Sequence, residues 1–209
     1  MSLRSIPLCF KCQKKYLGSP DSWDLRCRRC GRFLISAKEL CVTCRNIAPF
    51  EEVDRVFPLY PYDMLGQELL VAWKIGGNFS LTSVFASCIA RELENFPGFI
   101  IVPVPPRPGK IRKKGWDQID LLSHELSKNY GAPVLSCLRR FSQVQQKQLG
   151  REERALNLKG NIRCITPTVP KKVIILDDLM TTGATVETCA QVLKELNCEK
   201  VYAMTLFYD

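Results

Sequence analysis

Val-Ile-Ile-Leu-Asp-Asp-Leu-Met-Thr-Thr-Gly-Ala-Thr, residues 173 to 185, reads as a buried strand, a pair of acids and a small-residue turn that opens a helix. Four successive apolar residues suit a strand covered on both faces, as in a parallel sheet. The turn Thr181-Thr182-Gly183-Ala184-Thr185 offers backbone N–H groups, hydroxyls and the positive end of the following helix, which together cradle a phosphate dianion. Gly183 permits the close turn. Asp177 and Asp178 stand at the strand end, solvent-open, where two carboxylates can accept hydrogen bonds from the vicinal hydroxyls of a ribose. Taken singly, the acids read as a turn and the threonines as a helix cap. Their succession after an apolar strand points to a 5-phosphorylated ribose.

Outward from this segment, strands alternate with amphipathic helices, the pattern of an α/β domain whose mostly parallel sheet is flanked by helices. Strands are expected at Val53 to Tyr60, Phe99 to Val104, Lys172 to Leu176 and Lys200 to Phe207, with a short one near Val134. Helices are expected from Met64 to Ile75, stopped by Gly76 and Gly77, and over Thr82 to Glu94, Trp116 to Asn129 and Thr185 to Leu196. Pro105 to Lys114 reads as a basic loop, Arg139 to Gly150 as a polar stretch and Arg151 to Leu158 as a helical turn. Trp116 continues the apolar spacing of Ile119, Leu122 and Leu126, which favours a core position over a base-stacking one. His124, the only histidine, has no assigned role.

The chain has 209 residues, 46% hydrophobic and 24% charged, room for one α/β domain and a smaller module. No apolar run reaches the roughly 18 residues of a membrane span, and the start lacks the apolar core of a secretory signal, so a cytoplasmic protein is expected. The net charge of +9 is uneven: residues 1 to 50 carry ten Lys or Arg against three acids, the remainder twenty against eighteen. That asymmetry suits an anionic partner, nucleic acid before membrane, and equally a merely solvated surface.

Six of the eleven cysteines precede residue 45, all in Cys-x-x-Cys pairs. Two such pairs complete the four-sulfur shell that zinc prefers, with no open position for catalysis. Cys27 and Cys30, followed by Gly31, and Cys41 and Cys44 after a ten-residue spacer form the better combination; Cys9 and Cys12 are alternative ligands. A reduced compartment argues against disulfides. The five single cysteines, Cys88, Cys137, Cys164, Cys189 and Cys198, read as small core hydrophobes. The module ends near residue 48, giving 1–48 and 49–209 as the two parts.

The 173–185 segment resembles the fingerprint by which type I phosphoribosyltransferases bind 5-phosphoribosyl 1-pyrophosphate (PRPP). More of the chain resembles one branch of that superfamily, the ComF-like competence proteins, with their cysteine-rich zinc ribbon, VPVP strand, basic loop, RGFNQ-like box and Q-x-x-L-x-x-x-x-R-x-x-N box. Here the residues are VPVPPRPGKIRKKGWDQ from Val102 to Gln118, then Gln146, Leu149, Arg154 and Asn157. Lys114, Trp116 and Asp117 depart from the family's arginine, phenylalanine and asparagine. The resemblance implies a type I phosphoribosyltransferase fold with a structural zinc ribbon, PRPP bound with Mg²⁺, and Arg107, Lys110 and Lys114 as contacts for pyrophosphate or nucleic acid. It also implies that Ser142 to Leu149 closes over the site, with Arg154 and Asn157 aimed at that loop, at the ligand, or Arg154 at an acid. The role it implies is uptake of transforming DNA as a single strand, beside the competence machinery of the inner membrane. A salvage-type or amido phosphoribosyltransferase is the alternative.

Overall fold

The computed structural model describes residues 8, 11–12, 17, 25–34, 39–46, 50–141 and 161–209. Gln146, Leu149, Arg154 and Asn157, the helical turn at 151–158 and Cys9 lie outside the described residues.

A four-stranded parallel sheet organises the domain. Its strands are β1 (Arg55–Pro61), β2 (Ile100–Pro103), β5 (Lys172–Met180) and β6 (Lys200–Tyr208), in the order β1-β6-β5-β2. The α/β architecture expected from the 173–185 segment is the one observed. Residues 133–135 add a single parallel bridge beyond β2, Ile101 with Val134, where a short strand was expected. A separate antiparallel pair joins β3 (Leu138–Arg140) to β4 (Ile162–Cys164).

Helices cover both faces. On one, α2 (Met64–Lys74), α3 (Leu81–Leu93) and α5 (Gln118–Tyr130) pack Trp73, Phe85, Ile89, Leu122 and Leu126 against Ile174, Leu176 and Phe207. Trp73 keeps its polar handle satisfied there, its indole N–H donating to Thr82 Oγ1 at 2.9 Å. On the other face α6 (Ala184–Glu195) packs Val186, Cys189 and Leu193 against Val173, Ile175 and Ala203. Of the single cysteines, Cys88, Cys137, Cys189 and Cys198 are buried and Cys164 half-buried, as small core residues should be.

The connection after β2 thus runs to one face and the connection after β5 to the other. Neighbouring parallel strands whose connections part in this way leave a crevice at their carboxyl ends. β2 pairs with β5 only from Ile100–Val173 to Pro103–Leu176, with one further bond from Val104 N to Leu176 O at 3.0 Å.

Beyond Leu176, β5 continues on β6 alone, Asp177 opposite Thr205 and Met180 opposite Tyr208. This corrects the expected end of the strand at Leu176: the long apolar β6 keeps pairing, so both aspartates lie within the strand. A second correction concerns Pro105 to Lys114, which is not all loop. Residues Lys110–Lys114 form a short helix, α4, between Gly109 and Gly115, both at positive φ.

The cysteine-rich segment, with the one-turn helix α1 (Val42–Asn46), lies on the outer edge of β1. Buried Arg26 donates to Pro58 O at 2.7 Å, Leu59 O at 3.1 Å and Gly31 O at 3.2 Å, and Val56 N donates to Arg29 O at 2.9 Å. An uncovered strand edge is a template for aggregation, and this contact covers it. It also suits Pro58, which has no N–H for a ladder and is tolerated on an edge strand. Gly31, at φ +70°, sits so close to Pro58 that a Cβ there would lie 2.2 Å from the proline ring. Among the described residues no helix is long and apolar enough to cross a membrane.

Candidate functional site

At the carboxyl ends of β2 and β5 lies a cleft of about 500 Å³. Its walls include Lys74, Arg107, Lys110, Gln118, Arg140, Asp177, Asp178, Thr181 and Thr185. The aspartate pair and the threonine loop are therefore brought to one cavity, together with Arg107 and Lys110 from the segment after β2.

Asp177 and Asp178 have different surroundings. Asp178 is 4% exposed, and its Oδ2 accepts from Gln118 Nε2 at 2.6 Å and pairs with Lys74 Nζ at 2.8 Å. The expectation of two solvent-open carboxylates is thus corrected for Asp178, because α2 and α5 close over that side of the strand. Asp177 lies one residue earlier, on the opposite side of the pleat. Burial, then the neighbouring Asp178 carboxylate, push its carboxyl up to about 7, against the lowering effects of the Asp178 N–H and Lys74. Asp178 N donates to Asp177 Oδ1 at 2.8 Å.

The polar floor continues through α5. Gln118 Oε1 accepts from Lys110 Nζ, and Lys110 pairs with Asp117 Oδ2 at 2.5 Å. Asp117 also caps α5, its Oδ1 accepting from Ile119 N at 2.8 Å and Asp120 N at 3.2 Å. The glutamine orientation is forced, since its carbonyl meets an ammonium and its amide a carboxylate.

The loop before α6 has the predicted form. Gly183 adopts φ +79°, and a Cβ on it would fall 2.4 Å from the Phe50 ring. Thr181, Thr182 and Ala184 are exposed and Thr185 half-buried; Thr182 Oγ1 accepts from Ala184 N at 3.3 Å. Glu187, in the first turn of α6, accepts from the backbone N–H groups of Glu51 and Glu52 at 2.7 and 2.8 Å and of Val53 at 3.2 Å. The linker that follows the cysteine segment is thereby clamped to the phosphate-loop helix.

Lys114 is not in the cleft lining: its Nζ donates to Lys74 O and lies 4.6 Å from the centre of the Trp116 ring. Trp116 is half-buried and packs edge-on against exposed Phe79 at 4.9 Å, which corrects its assignment to the core. α5 begins at Gln118, after the Asp117 cap, so Trp116 precedes the apolar face.

Nothing in the sequence pattern singles out Lys74 or Gln118. A lysine before Gly-Gly reads as a helix-end cation, and a glutamine at the start of a helix has no distinguishing signal.

Cys27, Cys30, Cys41 and Cys44 have their Sγ atoms within 4.8 Å of one another. Cys30 and Cys41 Sγ are 3.7 Å apart, close to the roughly 3.8 Å edge of a tetrahedron with Zn–S bonds of about 2.3 Å. Burial pushes the Cys30 thiol up and Cys44 up to about 12. For Cys27 burial acts the same way, but backbone N–H groups of Cys30, Cys41 and Arg29 outweigh it and hold the thiol down to about 7. The set can hold a metal ion as four thiolates. Cys12 is half-buried and outside this group.

No family model matches the chain. It is similar to competence protein ComFC of Streptococcus pneumoniae, 26% identical over 153 residues, 71% of this chain and 66% of that protein. It is 24% identical over 206 residues to ComFC of Bacillus subtilis, covering 90% of this chain and 78% of that protein. Competence protein F of Haemophilus influenzae is 25% identical over 206 residues, 93% of this chain and 87% of that protein. With these likenesses spread over most of its length, and with a four-cysteine cluster on the edge of a parallel α/β sheet, the chain belongs to the ComF family.

Proposed function

We propose that this protein binds PRPP, or another 5-phosphorylated ribose, together with Mg²⁺, and acts with single-stranded DNA in DNA uptake during natural competence. One observation carries the reading: a single cleft joins Asp177 and Asp178 to the Thr181–Thr185 loop. Carboxylates suit the ribose hydroxyls, and loop N–H groups, hydroxyls and a helix N-terminus suit the 5-phosphate. Arg107 and Lys110 supply positive charge for a pyrophosphate, whose Mg²⁺ would arrive with the ligand. The names of the three relatives support the competence role. The basic N-terminal segment and the basic 107–114 run support contact with a phosphate backbone, beside the inner-membrane machinery. The four thiolates would hold one structural zinc.

Calorimetry with PRPP and MgCl₂ tests the cleft. The wild type should bind, and Asp177→Ala combined with Asp178→Ala should abolish binding while far-UV circular dichroism stays unchanged. Equal affinity in the double variant would refute the assignment. Incubation with PRPP, Mg²⁺ and a panel of bases and amines separates binding from transfer: pyrophosphate release dependent on both aspartates would indicate a salvage-type or amido transferase instead. Salt-dependent binding of single-stranded DNA without turnover would support the competence reading.

A further inference from the structure

The cleft holds a second cationic centre that the phosphate loop does not explain. Asp178 faces α2 and α5, where it meets Lys74 and Gln118. The Thr181–Thr185 loop opens α6, which covers the opposite face of the sheet. Lys74 and the threonine loop thus stand on different sides of β5, with the aspartates between them.

Lys74 is the last residue of α2, and its position is fixed twice. Its backbone carbonyl accepts from Lys114 Nζ, and its own Nζ is anchored on Asp178 Oδ2. An ammonium has three donors, and the Asp178 pairing takes one. The side chain is 38% exposed and lines the cavity. A charge held this way loses little rotamer freedom when a ligand arrives, which is the advantage of preorganisation. Lys110 and Arg107 line the same cavity, although Lys110 is already engaged by Asp117 and Gln118.

From this we infer that Lys74 is a ligand-binding residue for a second anionic group, the one carried at C1 of a ribose 5-phosphate. The inference rests on the proposed ribose-phosphate reading of the cleft. A ribose that placed its hydroxyls on the aspartates and its 5-phosphate on the threonine loop would turn its anomeric carbon toward the α2 and α5 side. Lys74 then distinguishes PRPP from ribose 5-phosphate, and Asp178 serves as its anchor as well as a sugar contact.

Calorimetric titration of the full chain with PRPP and with ribose 5-phosphate, both in excess MgCl₂, tests this. Lys74→Met, which keeps the aliphatic stem, should weaken PRPP binding at least tenfold and change ribose 5-phosphate binding by less than threefold. Lys74→Arg, which restores the charge and the Asp178 pair, should recover most of the PRPP affinity. A Lys74→Met variant that weakens both ligands alike, or neither, would overturn the inference, leaving Lys74 as a structural ion pair. Should Lys74→Met fail to fold, Lys74→Gln with the same two ligands gives the same discrimination. A wild-type chain that binds neither compound would overturn the ribose-phosphate reading itself, and this inference with it.

Discussion

Adjacent aspartates in one strand differ in what they can do, because the pleat sends them to different neighbours. Asp178 has Lys74 and Gln118 to compensate its charge, whereas the Asp177 carboxyl is raised to about 7 by burial and by Asp178. An acid raised in this way binds its proton more tightly in the folded chain than in the unfolded one. Its stabilising effect is therefore full below the ordinary value of 3.8 and is lost as pH rises toward about 7. Between those limits the melting temperature of the wild type should fall relative to that of Asp177→Asn, which cannot titrate. Differential scanning calorimetry at several pH values checks this, and parallel pH profiles in the two proteins would contradict it. Ligand binding should run the other way: a carboxylate that accepts ribose hydroxyls is most useful ionised, so PRPP affinity should rise through pH 7 in the wild type and not in Asp177→Asn.

At the scale of elements, the phosphate loop depends on a residue far from it in sequence. Phe50 is 2% exposed and lies against Gly183. Gly183→Ala meets two penalties: left-handed backbone, about 1–2 kcal/mol, and overpacking against the ring, about 1–3 kcal/mol. Phe50→Ala relieves only the second. In a double-mutant cycle followed by denaturant unfolding, the Gly183→Ala cost should shrink by about 1–3 kcal/mol in the Phe50→Ala background; strict additivity would show that the ring is not what excludes a side chain there. The need for glycine at 183 is legible in the sequence, since the turn chemistry is local. The identity of its neighbour is not, because Phe50 reaches it only through the tertiary path of the linker. The same contrast holds for β5, whose apolar core is plain in Val173 to Leu176 but whose extension to Met180 depends on the length of β6. It holds as well for Lys74 and Gln118, which become site residues only once α2 and α5 pack beside Asp178. The cysteine set was legible by spacing alone, as ligand geometry is a local matter of two tight turns.

Across the whole molecule these contacts form one mechanical path from the cysteine cluster to the sugar-phosphate cleft. The four thiols sit in the same apolar cluster as Phe50, Val53 and Val56, alongside Val186 and Cys189 of α6. Arg26 fixes that segment to β1, and Glu187 grips the N–H groups of residues 51 to 53 from the first turn of α6. A metal bound by the four thiolates would stabilise this corner, since binding energy at such a site is folding energy. Metal removal should then act in two places. Treatment with a strong chelator under reducing conditions should lower the melting temperature and accelerate amide exchange at residues 26 to 31 and 56 to 59. If the path through Phe50 and Glu187 transmits the loss, exchange should also rise at residues 50 to 53 and 183 to 187, and PRPP affinity should fall several-fold. Glu187→Ala tests the link independently: removing an acceptor of three backbone N–H groups should cost about 2 kcal/mol and reduce the effect of the chelator on PRPP binding. Exchange confined to the cysteine segment, with PRPP affinity untouched by the chelator, would show that the cluster protects only the edge of β1 and that the cleft is held by the sheet and α6 alone.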